Sequence, residues 1–134
     1  MKFLIAGRGE ERKRLESIAS GNVKFLGFVS EHKLIDLYSR ALIFCLPSVG
    51  ETFGFVQLEA MASGCAIVST MPLDYEGIKV DACNAKQIED AIRYLIDNPR
   101  AAVKMGKKNR RKAKSYRWDD FMDRLIEVYE DVTA

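Results

Sequence analysis

Four short apolar runs, separated by segments with helical spacing, constrain the fold of this chain more than any other feature. The runs lie at 2–6, 23–26, 41–46 and 65–69. Continuous apolar runs of this length are typical of parallel strands that are buried on both faces. Alternation of such strands with helices predicts a doubly wound α/β fold with a parallel sheet of four strands. A shorter run at 78–80 extends the prediction to five.

Helices are predicted between these runs and after the last of them. Gly64 stands where a helix C-cap favours glycine, and Pro99 suits the first turn of a helix. The helices are expected at about 10–19, 30–40, 55–63 and 85–97, then from 99 onward, and finally over 118–132.

Length and charge narrow the class of protein. A chain of 134 residues predicts a single domain over 1–134. The formal net charge of +2 is too small to indicate a nucleic-acid partner. No apolar run approaches the roughly 18 residues of a membrane-spanning helix, and the N-terminus lacks the length and cleavage site of a signal peptide. We therefore expect a cytoplasmic protein.

The three cysteines predict neither a disulfide framework nor a metal site. Cys45, Cys65 and Cys83 are odd in number, their spacing fits no zinc motif, and the chain has one histidine. We expect them to be small buried side chains in a reducing compartment.

The stretch from 50 to 69 holds the most informative pair of acids. Glu51 and Glu59 are eight positions apart, and Glu59 is the only charged residue between Thr52 and Leu73. Because an unpaired buried charge is costly, an acid in so apolar a run is expected to have a specific role.

The segments that follow the strands are expected to meet on one rim of the sheet, where open α/β proteins bind ligands. The helix that begins near Gly54 offers free N–H groups and a positive dipole end, which suit a phosphate. Glu59, about one turn into that helix, is able to accept hydrogen bonds from a vicinal diol such as ribose. The four segments are Gly7-Arg8-Gly9, Gly27-Phe28, 47–52 and Thr70-Met71.

Each of these assignments has a plainer alternative. Glu51 caps the helix N-terminus, Glu59 lies at the solvent edge of its helix, or Gly7-Arg8-Gly9 is only a tight turn. The last segment is not a dinucleotide fingerprint, since Arg12 stands where a third glycine would be required.

At this point the residues resemble a known family. The segment 51–64 resembles the E-x7-E signature of retaining, nucleotide-sugar-dependent glycosyltransferases of group 1 (family 4). Further segments are similar to that family in the same order along the chain. The resemblance implies a Rossmann-like three-layer sandwich that forms the C-terminal, donor-binding half of a GT-B fold. These segments are 22–29, Leu37-Tyr38-Ser39, Leu46-Pro47-Ser48, Arg117-Trp118 and Val128-Tyr129.

The resemblance also implies roles for individual residues. Glu59 would bind the ribose of the donor nucleotide, and Glu51, the catalytic candidate, would contact the transferred sugar. No metal or cofactor is expected besides the nucleotide-sugar donor. The remaining donor-binding candidates are Thr52, Phe53, Gly54 and Phe55 for the sugar and diphosphate, Phe28 and Val29 beside the base, and Gly7 and Gly9 along the cleft.

The sequence departs from the family pattern in ways that bear on catalysis. By comparison with the family pattern, we expect this sequence to lack the acceptor-binding N-terminal domain, together with a first strand and helix whose Arg and Lys clamp the diphosphate. The segment 70–76 lacks the glycine pair that touches the phosphates in the family. We therefore expect the chain to be inactive without a separate acceptor-binding domain or chain.

Three alternatives stay open. The chain is a non-catalytic nucleotide-sugar-binding or protein-interaction module derived from the same fold, or it is a glycosidase that uses Glu51 and Glu59 as paired acids. The stretch 104–117, which carries eight Lys or Arg and no acid, is either a solvated helix face or a surface for anionic lipid or nucleic acid. The small net charge gives no indication of a nucleic-acid partner. A weak, peripheral contact with a membrane surface is expected if the parent enzyme modifies a lipid-linked acceptor.

Overall fold

The computed structural model describes residues 1–133, which form an α/β structure of five strands and six α-helices. Most of the predicted elements are present within two residues of their expected ends. The elements are β1 (Phe3–Ala6), α1 (Arg12–Ile18), β2 (Val23–Gly27), α2 (Glu31–Arg40), β3 (Ile43–Leu46), α3 (Phe55–Ser63), β4 (Ala66–Ser69), β5 (Gly77–Lys79), α4 (Ala85–Asp97), α5 (Pro99–Lys112), a 3-10 helix (Ala113–Tyr116) and α6 (Trp118–Thr133).

Every strand pair is parallel, as predicted. β1 pairs with β2, and β3, β4 and β5 pair in that order. The strands therefore form a two-stranded and a three-stranded sheet, where the sequence predicts one sheet. The division follows the compact units of the chain, 1–37 and 38 onward, because each strand pair lies within one unit. The prediction of a single domain over 1–134 stays a prediction.

The unit from Met1 to Leu37 has little buried surface. Gly27 is its one buried residue, and β1 alternates half-buried and exposed side chains. Arg12 at the start of α1 donates to the carbonyl oxygen of Phe25 (3.1 Å) and forms an ion pair with Glu16 (2.8 Å). The bond to Phe25 holds α1 to β2 within this unit, whereas the ion pair with Glu16 lies within α1.

The unit from Tyr38 onward contains the apolar core. All four residues of β4 are fully buried. Ala66 and Val68 pack in one cluster with Ala91 and Leu95 of α4 and with Ala102 of α5. β4 is thus the central strand both of its sheet and of its core.

Two glycines allow α5 to pack closely on the end of α3. Gly64, at φ 90°, ends α3 as predicted. A β-carbon on Gly106 of α5 would lie 1.9 Å from the carbonyl oxygen of Gly64, so only glycine fits there. The contact fixes α5 against the helix that carries Glu59.

The cysteines follow the prediction at two positions of three. Cys65 is buried and Cys45 is half-buried, and burial raises the pKa of both thiols to about 11. Cys83 is exposed and lies in the left-handed region at φ 63°, so the expectation that it is buried is wrong. Cys83 lies in the short turn before α4, where no apolar core surrounds its side chain.

No helix among residues 1–133 combines the length and apolar character that crossing a membrane requires.

Candidate functional site

The residue that precedes α3 is a glycine in the left-handed backbone conformation. Gly54 has φ 77°, and a β-carbon there would lie 3.3 Å from the Met71 side chain. Both features favour glycine at this position. The chain therefore turns sharply into α3 directly beside the segment that follows β4.

The first turn of α3 leaves backbone donors free. The Gln57 N–H donates to the carbonyl oxygen of Gly54 (2.9 Å). Within residues 1–133, the N–H groups of Phe55 and Val56 have no acceptor, and no side chain caps the helix. Free N–H groups at the positive end of a helix form an anion-binding position.

Glu51 is exposed in the loop that leads into α3, and it does not cap the helix. Its carboxylate accepts a hydrogen bond from Ser48 Oγ (3.3 Å). Ser48 is held in turn by Thr70, whose Oγ1 donates to the Ser48 carbonyl oxygen (2.7 Å). The capping alternative is therefore wrong, and the segments after β3 and β4 lie together, as predicted for a shared rim.

Glu59 is exposed, and a buried tyrosine holds one of its oxygens. Tyr38 Oη donates to Glu59 Oε2 (3.3 Å), and the Tyr38 ring meets Phe44 edge-on at 5.7 Å. Burial, together with the nearby Glu59 carboxylate, raises the pKa of Tyr38 well above its ordinary value. Glu59 lies on the solvent face of α3, in agreement with the plainer alternative for this residue.

The aromatic residues of this corner form a small cluster. The rings of Phe53 and Phe55 are 4.8 Å apart, and Phe53 also meets Tyr116 at 6.2 Å. Phe53 is half-buried, whereas Phe55 is 69% exposed and Thr52 is also exposed. Glu59 lies four residues after Phe55, so both side chains are on the same face of α3.

The segment 70–76, which lacks the glycine pair, is tied to α5. The Asn109 side-chain amide accepts from the Glu76 N–H (2.7 Å) and donates to the carbonyl oxygens of Cys65 and Glu76 (both 2.8 Å). Lys112 forms ion pairs with Asp74 (2.6 Å) and Glu76 (3.2 Å). Hydrogen bonds from Lys108 and Lys112 hold the pKa of Glu76 below its ordinary value.

The other predicted site residues belong to the unit of residues 1–37. Gly7 has φ 125°, and its N–H donates to the Gly27 carbonyl oxygen (2.7 Å), so the two predicted loops meet there. Phe28 is 71% exposed, and the Arg8 guanidinium lies 5.3 Å from its ring centroid. Gly9 is exposed and Val29 is half-buried.

Three residues of these sites were not predicted from the sequence. The sequence predicts only a helix face for Tyr38, a turn for Arg8 and a basic stretch for Asn109. The burial of Asn109 could have been predicted from the sequence, because this residue continues the helical spacing of Ala102 and Gly106 on the buried side of α5. The contacts of Tyr38 and Arg8 join residues that are 20 or more positions apart, which no local pattern reveals.

The family model of the group 1 glycosyl transferases matches residues 1–112. The chain belongs to this family. The predicted family is therefore confirmed, and so is the α/β fold class of the C-terminal half of a GT-B glycosyltransferase.

Individual glycosyltransferases show how much of such a protein the chain covers. It is 29% identical over 141 residues to D-inositol 3-phosphate glycosyltransferase of Corynebacterium urealyticum, covering 95% of this chain and 33% of the relative. It is 30% identical over 146 residues to phosphatidyl-myo-inositol mannosyltransferase of Mycobacterium leprae, covering 100% of this chain and 39% of the relative. The chain thus spans between a third and two fifths of these curated relatives.

A solved structure agrees in fold. The sucrose-phosphate synthase of Thermosynechococcus elongatus superimposes with a TM-score of 0.82 at 24% identity, over 97% of this chain and 38% of that one. An identity at this level shows the common fold alone.

Proposed function

We propose that this chain is the donor-binding part of a retaining glycosyltransferase, which transfers a hexosyl group from a nucleotide-diphosphate sugar to an acceptor. In that reaction the bond between the anomeric carbon and the β-phosphate oxygen breaks. A bond to an acceptor oxygen forms, the acceptor loses its proton, and the nucleoside diphosphate leaves with the bonding electrons.

The observation that carries the proposal is the uncapped N-terminus of α3. The free N–H groups of Phe55 and Val56 point out of the positive end of the helix. The departing diphosphate gains negative charge in the transition state, and fixed donors aimed at such charge lower the barrier. Backbone from Thr52 to Phe55 is therefore assigned to the sugar hydroxyls and the diphosphate.

The two acids are assigned to the two ends of the donor. Glu59, with one oxygen held by Tyr38, has its other oxygen available for ribose hydroxyls. Glu51, exposed and braced by Ser48, is assigned to the transferred sugar. A glycosidase that uses this pair is disfavoured because the anion-binding position between them suits a phosphorylated donor better.

In the unit of residues 1–37, Phe28 and Val29 are assigned to the base, and Gly7 and Gly9 to the cleft. The exposed ring of Phe28 suits stacking on a flat base, and Arg8 at that ring adds a cation. The glycines leave their backbone open to a ligand, since a β-carbon on either would contact nothing within 4 Å.

The proposal extends to partners and surroundings. The chain spans only part of its relatives, so a separate domain or chain is proposed to bind the acceptor. We expect no metal cofactor, because the helix N-terminus supplies the positive potential, and a chelator should leave nucleotide binding unchanged. We also propose that the protein is cytoplasmic and has no nucleic-acid partner. It is further proposed to make a peripheral contact with a membrane surface.

One observation favours the alternative of a non-catalytic binding or interaction module. The segment 70–76 lacks the glycine pair, and its polar groups are engaged with Asn109 and Lys112. Such a module binds the nucleotide sugar weakly or not at all, and it does not gain activity when an acceptor-binding partner is added.

Calorimetric titration of the chain with UDP, GDP and ADP, and with their sugar conjugates, tests the proposal. We expect at least one nucleotide to bind saturably, and Glu59→Gln to weaken that binding at least about tenfold, the loss of a hydrogen bond made by a charged group. Glu127→Gln, an exposed acid on α6, is the control and should bind like the wild type. Unchanged affinity in Glu59→Gln, or no saturable binding at millimolar ligand, would contradict it.

A further inference from the structure

A stripe of four cations runs along the exposed side of α5. Arg100, Lys104, Lys107 and Arg111 are all exposed and recur at helical spacing; we call them the basic stripe. At 1.5 Å rise per residue the stripe is about 16 Å long. It lies on the opposite side of α5 from the buried residues Ala102, Gly106 and Asn109, since 3.6 residues make one turn.

The buried side of α5 fixes the orientation of the stripe. Gly106 rests against the carbonyl oxygen of Gly64, and Asn109 makes three hydrogen bonds beneath the helix. The apolar side of α5 is thus committed to the core and is not available for insertion into a membrane. A partner that binds the basic stripe is therefore held by electrostatic attraction to its cations, without insertion of α5.

The stripe has no counter-charge of its own. The neighbouring Lys108 and Lys112 are paired with Glu76 and Asp74. Within residues 1–133, the four stripe side chains have no hydrogen-bond or ion-pair partner, and α5 contains no acid. Like charges at this spacing repel one another, so an external anion is the natural complement of the stripe.

We propose that the basic stripe binds the phosphate groups of anionic phospholipids at a membrane surface. The cations line a shallow groove of about 320 Å³, together with the exposed side chain of Val103. Because the four cations lie in a row along one side of a straight helix, all of them can approach a planar anionic surface at once. The groove has no aromatic lining residue on which a nucleic-acid base could stack. The inference does not depend on the donor site of α3.

Co-sedimentation of the full chain with vesicles tests this inference. The vesicles contain phosphatidylcholine alone or phosphatidylcholine mixed with phosphatidylglycerol. We expect binding to the anionic vesicles only, weakened by salt. Lys104→Gln/Lys107→Gln should lower the apparent affinity at least about tenfold, since each basic residue near an anionic surface strengthens binding severalfold. Lys13→Gln/Lys24→Gln removes the same charge from exposed positions elsewhere and should change binding much less.

Three results would overturn the inference. They are no binding to anionic vesicles, equal loss in the two double variants, and tighter binding to an oligonucleotide than to anionic vesicles at the same salt. Nucleotide titration separates this inference from the proposed function, because the stripe variant should keep the nucleotide affinity of the wild type. If nucleotide binding is not observed but binding to anionic vesicles is, the proposed donor site is contradicted and the inference about the basic stripe is supported.

Discussion

At the scale of single residues, Gln57 places an unsatisfied amide in the core. Its side chain is fully buried in the first turn of α3, and within residues 1–133 neither its amide nitrogen nor its amide oxygen has a partner. A buried polar group without a partner costs about 1–3 kcal/mol. We predict that Gln57→Leu raises the free energy of unfolding by about 1 kcal/mol, measured by urea denaturation.

Gln87 provides a matched control for that substitution. Its side-chain oxygen accepts from the Asp81 N–H (2.5 Å), so Gln87→Leu removes a hydrogen bond and should destabilise the chain. If Gln57→Leu lowers the stability as much as Gln87→Leu does, the Gln57 amide has a partner and the prediction is wrong.

The sequence located Glu51 and Glu59 but not their surroundings. Spacing and polarity identified the acids, and Gly54 with Gly64 marked the ends of α3. From the sequence, Glu59 is either an acid with a specific role in an apolar run or a residue at the solvent edge of its helix. The helix turns Glu59 to solvent, while Gln57, Ala60 and Met61 face the core. Which residue faces inward depends on tertiary packing that a nearly uniform apolar run does not encode.

At the scale of elements, the contact of α5 with the end of α3 is the sharpest steric constraint. We predict that Gly106→Ala lowers the free energy of unfolding by about 2 kcal/mol or more, because the new methyl group would overlap the Gly64 carbonyl oxygen. In an open helix the same change would be favourable, since alanine has the higher helix propensity. Thermal and urea unfolding measure the effect.

Gly50→Ala is the control at this scale. A β-carbon on Gly50 meets nothing within 4 Å, and its φ is not in the left-handed region. Stability equal to that of the wild type in Gly106→Ala, or an equal loss in Gly50→Ala, would refute the steric account. The ends of α3 could be predicted from Gly54 and Gly64, whereas this contact joins positions 42 residues apart and no local pattern reveals it.

At the scale of the whole molecule, burial differs sharply between the two units. Residues 1–37 contain one buried residue, whereas β4 is fully buried beside α4 and α5. Regions with few buried contacts open locally, and core strands exchange only on global unfolding. We predict that amide hydrogens of β4 exchange at least about a hundredfold more slowly than those of β1 and α1. Uniform protection across β1, α1 and β4 by hydrogen-exchange mass spectrometry would contradict this.

The sequence predicted the number, order and direction of the strands correctly, because apolar runs and breaker residues mark each of them. It did not predict the division into two sheets. Which strands pair depends on contacts between distant segments, and apolar runs such as 2–6 and 41–46 look alike locally whatever their neighbours.

The central claim is that the N-terminus of α3 binds the diphosphate of a nucleotide donor. The most direct measurement is an NMR titration that follows the backbone amide resonances of the chain as UDP or GDP is added. We expect saturable shifts of the Phe55 and Val56 amides, whose N–H groups are free, with the same dissociation constant as calorimetry. Shifts confined to α5, or no saturable shift at Phe55 and Val56, would contradict it.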